Sequence, residues 1–128
     1  MDADKPAEKP YDIEIENRGD YLWILVGGEK LTSAIAIAYW REIAAKCQET
    51  GCKKILIEKN FRQSVGPAEM LEMAESLGDL MPGQRVAFYD RFEHSSINEL
   101  GKKLARNRDV MMQTFKNVHD AEKWLLAN

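Results

Sequence analysis

Ser64, His94 and Asp90 are the side chains from which a nucleophile, a general base and an orienting acid can be written down. The stretches that carry them follow candidate strands and lead into candidate helices, at the sheet edge where α/β sites gather. No nucleophile elbow surrounds Ser64, so hydrolysis is the weakest functional class open to this chain and no catalytic residue is assigned. Gly27-Gly28 precedes a helix without the further glycine or lysine that a dinucleotide or P-loop phosphate site needs. His94 and His119 are the only imidazoles, and neither is spaced with Cys47 or Cys52 as a ligand set, so no metal and no cofactor is expected. Cys47 and Cys52 flank Gly51 and read as small core or helix-end residues rather than as a disulfide framework.

Binding is better represented than catalysis. Asn60-Phe61-Arg62-Gln63-Ser64 and Asp90-Arg91-Phe92-Glu93-His94 each read as a loop at the carboxyl end of a strand, and each sets an aromatic beside an arginine. Phe61, Arg62, Gln63, Arg91 and Phe92 are therefore candidate partner-binding residues if the aromatics are exposed, and Phe61 and Phe92 are core caps if they are not. Met70, Met73 and Leu77 share one helix face, which serves as core or as the wall of a pocket for a small apolar ligand. Trp23 and Tyr39 complete that candidate pocket. Ile37, with Ala34, Ala38 and Ala44, widens the apolar stripe of the first helix, as homodimer contact or weak peripheral membrane contact both require. Clustered Lys or Arg that would attract anionic lipid are missing there.

The frame for these residues is one domain. The 128 residues are 45% hydrophobic and 30% charged, a composition that excludes disorder as the main state and leaves no room for a second full domain. The formal net charge is -3 with basic residues scattered, so the electrostatic footprint of a nucleic-acid binder is missing. Residues 1–10 read as a charged, proline-bearing lead-in to a single domain over 11–128, with no transmembrane segment and a cytoplasmic location expected.

Period-2 alternation predicts a strand from Tyr11 to Glu16, and YLWILV a strand over 21–26 that ends at Gly27-Gly28. Ile35, Tyr39, Ile43 and Cys47 then mark a long helix, capped by Thr32 or Ser33 and stopped by Gly51. A buried strand is expected over 53–58, a helix from Gly66-Pro67 to Met81-Pro82-Gly83, and a strand over 85–89. Ser96 and Glu99 are spaced as a capping box for a third helix, which Asn107 and Arg108 finish. A strand over 110–115 and a helix capped by Asn117, with Ala121, Trp124 and Leu125 inward, close the chain. The order β-β-α-β-α-β-α-β-α is an α/β class with a five-stranded, mostly parallel sheet and an antiparallel edge strand.

That order, with YLWILVGGEKLTSA, KKILIEKNFRQSVGPAEML and FKNVHDAEKWL, resembles the STAS domain, and more narrowly its SpoIIAA-like bacterial branch, over roughly residues 11 to 127. The resemblance implies a non-enzymatic regulatory domain that binds a protein partner. In anti-sigma-factor antagonists a serine in an Asp-Ser-Ser/Thr-Gly stretch is phosphorylated at the start of the second helix. Here the stretch is Arg62-Gln63-Ser64-Val65-Gly66, so Ser64 takes the serine's place, Gln63 replaces the aspartate, and Val65 follows. A similarity in outline to CRAL-TRIO carriers implies a second use, an apolar ligand or lipid held between helices and sheet.

Overall fold

The structure, a computed structural model, describes residues 9–127, so most of the expected lead-in lies outside the described residues. Strand β1 (Asp12–Asn17) runs antiparallel to β2 (Leu22–Lys30), and β3 (Lys54–Gln63), β4 (Arg85–Asp90) and β5 (Met111–Phe115) follow in parallel, in the order β1-β2-β3-β4-β5. The α/β class and the mixed five-stranded sheet are as the sequence reads. Three helices connect the parallel strands: α1 (Ser33–Thr50), α2 (Pro67–Leu80) and α3 (Ser95–Arg106); α4 (Val118–Leu126) closes the chain.

Each crossover moves one strand along in the same direction, and crossovers of one hand then stack their helices on one side of the sheet. The main core accordingly joins Leu22, Ile24, Val26, Ile55, Ile57, Phe61, Val86 and Phe88 to Tyr39, Ile43, Met70, Met73, Leu77 and Ala105. After β5, α4 folds onto the opposite face, where Ala121 and Leu125 cover Tyr21, Leu56 and Ala87.

Helix ends follow local chemistry. Thr32 accepts the amide of Ile35 at 3.1 Å, and Gly51, at φ 73°, adopts the left-handed conformation that ends α1. Asn117 accepts the amide of Asp120 at 2.8 Å and starts α4. The Ser96–Glu99 capping box does not form. Helix α3 begins at Ser95 with no side-chain cap, because Asp90 already organises the chain before it, and Glu99 pairs with Lys102 instead.

Two strands are longer than the sequence suggests. Gly27-Gly28 does not end β2, and β3 does not end at Glu58; the two continue side by side, pairing Gly27 with Asn60, Gly28 with Phe61 and Lys30 with Gln63. Gly27 permits this approach, since a Cβ there would lie 2.6 Å from the Asn60 carbonyl oxygen. The expected loop at Asn60–Ser64 is therefore mostly strand. Strand alternation then turns Ile55, Ile57, Lys59 and Phe61 toward α1–α3. In the β3–β4 register Lys59 stands opposite Asp90, so the fold brings two charges inward at the carboxyl ends of adjacent strands.

Candidate functional site

Lys59 and Asp90 are almost sealed from solvent, at 2% and 6% exposure, with Nζ and Oδ2 3.7 Å apart. Asp90 gathers donors from three further groups. The Phe92 amide donates to Oδ1 at 2.9 Å, and Asn98 Nδ2 donates to Oδ2 at 2.8 Å. His94 Nδ1 is also 2.8 Å from Oδ2, while His94 Nε2 is 3.1 Å from the Arg62 carbonyl oxygen. Both imidazole nitrogens thus face oxygen atoms that can accept a hydrogen bond. On the other side Lys59 Nζ donates to Ser64 Oγ at 3.3 Å. Ser64 sits between β3 and Gly66, the N-cap position of α2.

Burial alone would raise the Asp90 carboxyl pKa. The Asn98 hydrogen bond, the Lys59 charge, His94 and the Phe92 amide outweigh it and hold Asp90 below the usual carboxylate range. For Lys59, burial pushes the ammonium down from its ordinary value, and Asp90 opposes that shift without cancelling it. The result is one polar line, buried at Lys59 and Asp90 and half-buried at its ends, from Ser64 through Lys59 and Asp90 to His94 and the Phe92 amide. It ties the segment before α2 to the segment before α3. An enzymatic reading needs a water-excluded cluster that joins Ser64 to Asp90 or His94; here Ser64 and His94 are only half-buried, Ser64 reaches Asp90 only through Lys59, and none of these cavities is lined by Ser64.

No protein-family model and no curated protein matches the sequence. Solved structures do match. An anti-sigma factor antagonist from Mycobacterium paratuberculosis superposes with a TM-score of 0.62 at 8% identity, covering 91% of this chain and 94% of that one. An uncharacterised protein with a SpoIIAA-like fold from Shewanella loihica PV-4 superposes with a TM-score of 0.53 at 18% identity, over 94% of this chain and 98% of that one. The fold is SpoIIAA-like.

In this SpoIIAA-like fold most of the residues singled out by sequence fall into two groups. Arg62, Arg91 and Phe92 come together at the surface, where the Arg62 guanidinium lies 5.7 Å over the Phe92 ring and Phe92 is 39% exposed. With Asp12, Glu14, Glu29 and Asn60 they line an open cavity of about 750 Å³. Gln63 is exposed beside them. Phe61 does not join this surface. It is wholly buried and stacks on Tyr39 with ring centroids 6.2 Å apart, so it is a core residue rather than an anchor.

Tyr39, Met70, Met73 and Leu77 form the second group. They line a chamber of about 40 Å³ together with Trp40, Phe88, Asn98, Met112 and Lys59. Ligand pockets for drug-sized molecules run to about 300–1,000 Å³, so a lipid chain does not fit this chamber. Trp23 and Ile37 stand apart from both groups. Trp23 lies on the α4 face, donating to Glu58 with Arg18 4.5 Å over its ring, and Ile37 is half-buried on α1.

Lys59 and Asn98 were not singled out from the sequence. A signal was there for Lys59: it occupies the inward phase of Ile55-x-Ile57-x-Lys59-x-Phe61, where a charge needs a buried partner. Asn98 carries no comparable mark, because on the sequence it is one polar residue among several at the start of a helix. Among the described residues no helix is long and apolar enough to cross a membrane.

Proposed function

We propose that the protein is a non-enzymatic regulatory domain that docks a protein partner on the surface of Arg62, Gln63, Arg91 and Phe92 and the outer face of α2, with Ser64 as its modification site. The observation that carries this reading is the line from half-buried Ser64 through buried Lys59 to Asp90, which in turn holds the Phe92 amide and His94. A phosphate on Ser64 adds about -1.5 to -2 charges. It draws the Lys59 ammonium away from Asp90, and the segment that presents Phe92 loses one of the charges that hold it. The N-terminal end of α2 nearby accommodates the added negative charge, so the helix stays folded while the docking surface changes. The likeness in fold to a protein described as an anti-sigma factor antagonist supports the same reading.

The test places a photo-crosslinking amino acid at position 92 in Ser64→Ala and Ser64→Asp backgrounds, in cells. A discrete protein adduct is expected with Ser64→Ala and its loss with Ser64→Asp. Equal adducts in both backgrounds remove Ser64 from the mechanism, and no adduct in either removes the Phe92 surface from docking.

A further inference from the structure

Asn98 is only 8% exposed, and its Oδ1 has no hydrogen-bond partner among the described residues. The amide orientation is fixed from the other side: Nδ2 donates to Asp90 Oδ2 at 2.8 Å, and flipping the group would set oxygen against carboxylate oxygen. The acceptor is therefore built in. Asn98 lines the chamber of about 40 Å³, and so does Lys59. A lysine ammonium carries three N–H donors; Lys59 donates one to Ser64 Oγ at 3.3 Å and faces Asp90 Oδ2 at the ion-pair distance of 3.7 Å, so donor capacity remains for a group in the chamber. The remaining wall is apolar and adaptable, with Met70, Met73 and Met112 alongside Leu77 and Phe88.

We propose that this chamber is a binding site for a small neutral end group, a primary amide or a hydroxyl, that donates to Asn98 Oδ1 and accepts from Lys59. A carboxylate is excluded, because it has no proton for Asn98 and would compete with Asp90 for the ammonium. A purely apolar group is excluded too, since it leaves the buried Asn98 oxygen unsatisfied. The chamber volume equals about three water-sized spheres, which sets the buried part of the ligand at about three or four non-hydrogen atoms. A way in exists. A second cavity of about 490 Å³, between the ends of β4 and β5 and the start of α3, shares Phe88 and Asn98 with the chamber as a common wall. Ser95, Thr114 and Phe115 line that outer groove on the far side of Asn98.

The methionines report on the site directly. Met70, Met73 and Met112 line the chamber, whereas Met81 lines a separate cavity beside Cys47 and Met111 is exposed. In ¹³C-methyl-methionine NMR of the wild-type protein, acetamide is expected to give saturable shifts at Met70, Met73 and Met112 and none at Met81 or Met111. Acetone, of the same size but without a donor, is expected to bind at least tenfold more weakly. Asn98→Leu is expected to erase that discrimination, and the wild-type comparison decides the matter by itself if the variant does not fold. Equal binding of acetamide and acetone overturns the proposal. So does the absence of any saturable shift, which would mean that the chamber takes water only. Either failure leaves the docking proposal standing, because that rests on the link from Ser64 through Lys59 and Asp90 to Phe92 and not on a ligand in the chamber.

Discussion

Asp90 accepts hydrogen bonds from Phe92 and Asn98, meets His94, and neutralises Lys59 in a space closed to solvent. Removing one member of a buried ion pair costs about 3–5 kcal/mol, because the survivor keeps its desolvation penalty without its partner. Asp90→Ala is expected to lower unfolding stability by that amount in urea titrations; a loss of under about 1 kcal/mol would mean that the pair is solvated. The same carboxylate sets an acid limit. Its pKa is lower in the folded protein than in the unfolded chain, so the unfolded chain binds protons first as pH falls, and stability drops with it. The contribution is present above the ordinary carboxyl pKa of about 4 and is lost as pH falls through the lower, folded value. Denaturation midpoints between pH 7 and 3 should therefore decline more steeply for wild type than for Asp90→Asn. Parallel curves would contradict the assignment.

At the scale of elements, two features decide where the site forms. The first is the close run of β2 against β3 past Gly27. A methyl group there meets the Asn60 backbone at 2.6 Å, so Gly27→Ala is expected to cost about 1–3 kcal/mol in chemical denaturation, with neutral behaviour contradicting the strand extension. The second is capping: Asn117→Ala, which removes the acceptor for the Asp120 amide, should cost about 1 kcal/mol and loosen α4 in amide exchange. The contrast between these two positions explains what was legible beforehand. Asn117, Thr32 and Gly51 act through atoms a few residues away, so local spacing revealed them. Gly27 looked like a strand end because its constraint comes from Asn60, and Ser96 looked like a cap because the organising contact comes from Asp90. Alternation and helical periodicity exposed the element order, and with it the sheet edge bearing Arg62, Arg91 and Phe92. The burial of Phe61 and the pairing of Lys59 with Asp90 depend on strand extension and register, which periodicity does not encode.

Across the whole molecule, the sheet separates two roles. The α1–α3 side holds the chamber and the buried charges, while the edge at the carboxyl ends of β3 and β4 presents Arg62, Arg91 and Phe92. Lys59 links the two, and the regulatory account stands or falls on that link. The most direct measurement is backbone amide NMR, with hydrogen exchange, on Ser64→Asp, Ser64→Ala, and Ser64→Asp combined with Lys59→Met. Ser64→Asp alone is expected to shift the amides of Arg91 to His94 and to lower their protection. Ser64→Ala should leave them near wild type, and on the Lys59→Met background Ser64→Asp should have no further effect there. Perturbations confined to residues around position 64 in every variant would contradict it, because the charge introduced at Ser64 would then end where it began.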